Sequence, residues 1–94
     1  MKTLSEKEIK EKLENLEHWT YEDNAINTSL EFSDFKTAFS AMTRLAFEAE
    51  KFQHHPNWSN VYNTVNISLS THDAGGVTEK DFELAEAFEQ AMSN

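Results

Sequence analysis

Ninety-four residues confine the chain to one domain, residues 1–94, near the lower end of independent folding. Eight basic residues against 17 acidic give a formal net charge of −9, a surface that repels phosphate backbones and argues against direct nucleic-acid binding. The lack of cysteine excludes disulfides, a thiolate nucleophile and a cysteine zinc site; with no apolar run near the roughly 18 residues of a membrane span, and no signal segment in Met1-Lys2-Thr3-Leu4-Ser5-Glu6, a cytoplasmic protein with no membrane association is expected.

Ser5 and Glu8 have the spacing of a capping box, flanked by Leu4 and Ile9 as a hydrophobic staple, and they predict a helix beginning at Ser5. Ile9, Leu13 and Leu16 recur at helical spacing, so this helix is expected to end near Leu16 to Glu17. Trp19 to Tyr21 reads as a short strand and Glu22-Asp23-Asn24 as a turn. Ala25 to Phe32 then alternates as the second strand of a hairpin, with Ile26, Thr28, Leu30 and Phe32 on one face. Ser33 is expected to cap the next helix, with Asp34 favouring its positive end. Phe35, Ala38, Phe39, Met42, Leu45, Ala46, Ala49 and Phe52 form one long apolar stripe that carries this helix to about Gln53. Pro56 disfavours helical geometry at His55 and stops it there.

From Trp58 to Thr71 the pattern alternates again. Val61, Val65, Ile67 and Leu69 share one parity and, if the alternation is unbroken, are buried; Thr64, Asn66, Ser68, Ser70 and His72 share the polar parity with Tyr62. Asn63 marks a turn or bulge between two strands. Asp73-Ala74-Gly75-Gly76 is a loop, and Thr78 caps a last helix whose apolar stripe is Phe82, Ala85, Phe88 and Met92. The order is helix, two strands, helix, two strands, helix. It predicts an α+β fold, a two-layer sandwich with a four-stranded antiparallel sheet and three helices packed on one face. The other face is left for solvent, a ligand or another subunit.

Three of the four histidines lie in two short segments, Glu50-Lys51-Phe52-Gln53-His54-His55-Pro56 and Thr71-His72-Asp73. Imidazole is the side chain whose ordinary pKa lies nearest neutrality, so histidines beside carboxylates suit acid–base chemistry. Glu50 and His54 are four apart and share a helix face, either as an oriented pair or as an ordinary surface pair. The His54-His55 pair is equally readable as a helix stop with two exposed rings. His72 ends a polar strand face beside a glycine loop, where working residues and plain surface histidines both occur. Asp81 has capping-box spacing from Thr78 and is placed to steer His72 as well. No His-x-x-x-His or Glu-x-x-His spacing supports a metal site. No Gly-x-Ser-x-Gly elbow or phosphate-binding glycine loop is present.

Glu50, His54-His55-Pro56, Tyr62, His72 and Asp81, in that order and spacing, resemble the signature of the pterin-4a-carbinolamine dehydratases. The similarity extends to Phe35 through Glu50, to Pro56 through Asn63, to Leu69-Ser70-Thr71-His72 and to Trp19 with the hairpin behind it, so nearly the whole chain is covered. The resemblance implies dehydration of 4a-hydroxytetrahydropterin to quinonoid dihydropterin, a step that recycles the pterin used by aromatic amino-acid hydroxylases. It implies no metal and no organic cofactor, a pterin substrate, and a homodimer or homotetramer, which the small core also favours. A pterin-dependent hydroxylase is the expected functional partner. By position it carries catalytic roles to His54, His55 and His72 and supporting roles to Glu50 and Asp81.

On that footing His54 and His72 are expected to be the acid–base pair, with His55 holding the pterin or stabilising charge. Glu50 and Asp81 set ring orientation. Trp58 is a candidate for packing against the pterin ring, with core or subunit packing as the other reading; Phe52 is assigned to packing. The competing function is a non-enzymatic interaction module on the same fold, since some members of the family act as dimerisation partners of a homeodomain transcription factor.

Overall fold

The computed structural model describes residues 1–93. Its elements run α1 (Glu6–Leu13), β1 (Thr20–Glu22), β2 (Ala25–Glu31), α2 (Phe35–Phe52), β3 (Asn57–Val61), β4 (Thr64–Leu69), a short 3₁₀ turn (His72–Ala74) and α3 (Glu79–Met92). The strands form one antiparallel sheet in the order β1-β2-β4-β3. The α+β architecture expected from the pattern is the one observed. No helix among the described residues is long and apolar enough to cross a membrane.

Each helix begins where a side chain captures a backbone donor that has no partner within the helix. Ser5 and Glu8 form the expected capping box on α1, at 3.1 and 2.9 Å. Helix α1 ends at Leu13, a turn earlier than the periodicity suggested. Leu16 still reaches the core from the following turns, so apolar spacing outlasted the helix. On α2 the cap is Asp34, not Ser33: its Oδ1 accepts from the Thr37 amide at 2.8 Å. Hydrogen bonding from Thr37, through its hydroxyl first and its amide second, holds the Asp34 carboxyl below its ordinary range.

The two hairpins set the sheet's register. Asp23 and Asn24, with φ of 55° and 59°, make the tight β1–β2 turn, a left-handed pair suited to Asn and Asp. Tyr62 (φ 51°) and Asn63 make the β3–β4 turn, where Asn60 binds the Tyr62 and Thr64 carbonyls and Asn63 binds that of Phe32. This turn breaks the assumed alternation. Val61 falls on the exposed side, 73% accessible, while Val65, Ile67 and Leu69 are buried as expected.

The core lies between the sheet and the helices. Ile26, Val65, Ile67 and Leu69 supply the sheet side; Ile9, Leu45, Phe82, Leu84, Ala85 and Phe88 come from the helices. Burying a Leu, Ile or Phe contributes about 1.5–3 kcal/mol each, so these residues dominate the stability of so small a domain. The α2 stripe divides in two. Ala38, Leu45 and Ala49 are buried with Ala41, whereas Phe35 (50%) and Phe39 (55%) stay exposed with Phe47 (72%). The buried alanines and Leu45 form the inward face of α2, and the phenylalanines form a second, outward apolar face. Tertiary polar ties add Trp19 Nε1 to Glu89 Oε2 at 3.0 Å and Lys12 to Glu79 at 2.9 Å.

Candidate active site

Helix α2 stops at Phe52 because Gln53 takes the left-handed conformation (φ 52°, ψ 41°), and its amide closes onto the Ala49 and Glu50 carbonyls. The chain therefore leaves the helical path just before the two histidines. His54 turns inward and is 9% exposed, while the His55 side chain stands 61% exposed. Pro56 then admits the chain to β3.

His54 meets Asp81, 27 residues away, with Nε2 and Oδ1 2.5 Å apart. Asp81 is completely buried in the first turn of α3. Its second oxygen, Oδ2, accepts from the Thr71 hydroxyl and from the Thr78 amide, both at 2.9 Å. The Thr71 and Thr78 hydroxyls are 2.6 Å apart, and Thr78 Oγ1 also accepts from the Lys80 amide at 3.2 Å. A buried carboxyl group is tolerable only when its oxygens are paired, and here both are: Oδ1 with His54, Oδ2 with Thr71 and Thr78. Among the described residues no buried side-chain nitrogen or oxygen is left without a partner, and His54 Nδ1 makes no hydrogen bond. Nδ1 is thus the nitrogen of His54 that opens to the surface.

The expected carboxylate partners are exchanged. Helical spacing pairs Glu50 with His54; its Oε2 instead meets His55 Nε2 at 2.7 Å, on the outside. Asp81 was expected to steer His72; it caps α3 as predicted but holds His54. The i, i+4 rule required the helix to persist to residue 54, and Gln53 ends that condition.

His72 opens the 3₁₀ turn after β4 and is exposed, with no side-chain hydrogen bond among the described residues. Its placement follows from its neighbour. Thr71 pairs with Gly76 through both backbone directions, and its carbonyl accepts from Ala74 and Gly75. Gly75 has φ 82°, a left-handed position that suits glycine. Since the Thr71 hydroxyl binds the same carboxyl group as His54, the segments that carry His54 and His72 converge on Asp81. Thr71 and Thr78 were not singled out as site residues by spacing; the signal available was that both threonines lie within ten residues of Asp81 and next to chemistry-bearing positions.

Trp58 packs against the core from β3 and remains partly exposed, as does Phe52 from the end of α2. A cavity of about 670 Å³ opens on the far side of the sheet, among Asn27, Ser29, Asn57, Ser59, Asn66 and Ser68. Trp58 and Ile67 also border it, although their side chains belong to the core cluster. None of Glu50, His54, His55, His72 or Asp81 lines that cavity. Amides and hydroxyls make up most of its wall, and His18 and Glu22, which also line it, are both exposed; the buried, hydrogen-bonded His54–Asp81 pair is the better-built acid–base site.

The fold and this site define a small α+β domain with a buried carboxyl–imidazole pair, next in sequence to His55 and joined through Thr71 to the segment that carries His72. Over residues 2–91 the sequence matches the family described as pterin 4 alpha carbinolamine dehydratase. A protein of Christiangramia forsetii, provisionally named a pterin-4-alpha-carbinolamine dehydratase, is 58% identical over 94 residues, covering 100% of this chain and 97% of its own. One from Burkholderia vietnamiensis with the same provisional name is 48% identical over 93 residues, covering 97% and 91%. The crystal structure of a transcriptional coactivator/pterin dehydratase from Brucella melitensis superposes with a TM-score of 0.90 at 43% identity, over 95% of this chain and 97% of that one. The chain belongs to the pterin-4a-carbinolamine dehydratase family.

Proposed function

We propose that this protein dehydrates 4a-hydroxytetrahydropterin to quinonoid dihydropterin and water, with His54 and His72 as the acid–base pair. The observation that carries the reading is the convergence of the residue 54 and residue 71–72 segments on one buried carboxyl group, Asp81. Loss of water from a carbinolamine needs a proton delivered to the departing hydroxyl and one taken from the adjacent ring nitrogen. Positioned imidazoles do both near neutrality, each contributing roughly 10²–10⁴-fold. His54 works through Nδ1, because Nε2 is engaged by Asp81. His55, in its exposed pair with Glu50, holds the pterin or balances charge at the rim. Trp58 packs one face of the bicyclic ring. No metal or organic cofactor takes part, and the reaction returns the pterin to the cycle of an aromatic amino-acid hydroxylase.

The test follows the decay of 4a-hydroxytetrahydropterin with and without protein, and again after chelator treatment. Accelerated decay that survives chelation is expected; decay at the uncatalysed rate overturns the reading. His54→Ala and His72→Ala should each lower kcat in a folded protein, and wild-type turnover in both refutes the assignment of roles.

A second reading has an observation of its own. Phe35, Phe39 and Phe47 leave an apolar face along α2 that a lone domain exposes to water. It supports association into a homodimer or homotetramer, and it is also the surface an interaction module would use. Sedimentation of the purified chain distinguishes a monomer from either assembly.

A further inference from the structure

We propose that Thr71 is a positioning residue for His54, fixing the direction of the hydrogen bonds around Asp81 so that the His54 proton sits on Nε2 and Nδ1 faces the substrate. The inference rests on the dehydratase reading for its catalytic consequence, but not for its structural content.

A hydroxyl has one proton to give. Thr71 lies within hydrogen-bond distance of both Asp81 Oδ2 (2.9 Å) and Thr78 Oγ1 (2.6 Å). Oδ2 also accepts from the Thr78 amide, which can only donate. Thr71 gives its proton to Oδ2, so the short contact between the two threonines is filled by the proton of Thr78. Thr78 Oγ1 in turn accepts from the Lys80 amide, which again can only donate. The chain of donors therefore runs one way, from the Lys80 amide to Thr78, to Thr71, to Asp81. With both acceptor directions of Oδ2 occupied, Oδ1 is left to face Nε2 alone; a carboxylate oxygen only accepts, so the shared proton is placed on Nε2. The ring is held in one orientation and one tautomer, the arrangement that lets an imidazole act through its other nitrogen.

Thr71 also holds the loop that carries His72, through its backbone pairing with Gly76 and the bonds its carbonyl accepts from Ala74 and Gly75. The two tasks use different atoms. Thr71→Val removes the hydroxyl and keeps the backbone pairing and nearly the same shape. Thr71→Ser keeps the hydroxyl.

The experiment measures kcat and KM for 4a-hydroxytetrahydropterin in both variants, together with ¹⁵N spectra of the His54 ring across its titration. Thr71→Val is expected to lower kcat roughly 10- to 100-fold, the scale seen when groups that orient metal-bound imidazoles are removed, with KM changed by no more than about twofold. Thr71→Ser should stay within about threefold of the wild type. The neutral His54 ring should keep its proton on Nε2 in the wild type and serine protein and lose that preference in the valine protein. Wild-type kcat in Thr71→Val, or Thr71→Ser as slow as Thr71→Val, overturns the proposal. If valine prevents folding, neutron diffraction of the wild-type protein decides. Deuterons on Thr71 Oγ1 toward Asp81 and on His54 Nε2 support it; a deuteron on Asp81 toward Thr71, or His54 deuterated at Nδ1 only, overturns it. A wild-type protein without dehydratase activity refutes the proposed function instead, and the nitrogen spectra then judge the orienting role of Thr71 by themselves.

Discussion

His54 and His55 are adjacent in sequence and each meets a carboxyl group, yet the two pairs differ in kind. His54 and Asp81 are 10% and 0% exposed at the side chain; His55 and Glu50 are 61% and 70%. The inner pair is shielded from water and locked by Thr71 and the Thr78 amide. The outer pair is screened, and each side chain reaches its partner against the entropy of two mobile groups. The same chemistry thus gives a fixed instrument on one side of the backbone and an adjustable contact on the other. Which is which is decided by the left-handed turn at Gln53, not by the histidines themselves.

Substitutions break this contrast to different extents. Asp81→Ala should act most strongly. It strips the partner from buried His54, leaves the Thr71 hydroxyl and Thr78 amide unmatched and removes the Asp81 half of the α3 capping box, with a cost of about 3–5 kcal/mol. For a domain of this size each kcal/mol is worth about 4–8 °C in Tm, so calorimetry should show a fall of well over 10 °C. Glu50→Ala removes only the outer pair. Its effect on stability should lie within about 0.2–1 kcal/mol, and raised salt should weaken the wild-type pair toward the same value. In turnover the substitution is expected to alter KM more than kcat, since His55 is assigned to holding substrate. Equal losses in Tm for the Asp81 and Glu50 variants would remove the distinction between the pairs.

The smallest effect concerns pH. Asp34, capping α2, is held below the ordinary carboxylate range mainly by its bond from Thr37. A lowered folded-state pKa contributes stability above the unfolded-state pKa, and that contribution is lost as pH falls through the folded value. The acid limb of a Tm–pH profile should therefore soften in Asp34→Asn, which keeps a capping acceptor but no titrating group. An unchanged acid limb would assign that limb to other carboxylates.

Much of the fold was legible because local signals agreed with one another. Capping boxes at Ser5 and Thr78, alternation in β2 and β4, and turn residues at Asp23-Asn24 all point to the same topology. Competing signals leave the choice to tertiary structure. Ser33 and Asp34 are both good caps, and only the backbone geometry separates them. The residues of the α2 stripe are apolar on two faces, and apolarity alone does not say which face meets the core; Phe35 and Phe39 face outward while Ala41 is buried. In the site, the identities of Glu50, His54, His55, His72 and Asp81 were readable but their pairings were not. Pairing across 27 residues depends on how α3 docks beside the end of α2, and spacing along the chain carries no information on that. The role of Thr71 is hidden for the same reason, because its hydroxyl matters only once Asp81 lies beside it.

The most direct trial of the account is the kcat of His54→Gln toward 4a-hydroxytetrahydropterin, measured beside a thermal melt. Glutamine offers Asp81 a donor, so the buried carboxyl group stays matched while the acid–base nitrogen is gone. The account predicts a folded protein whose kcat falls by roughly 10²–10⁴-fold with KM little changed. A folded His54→Gln protein that turns over like the wild type would contradict it.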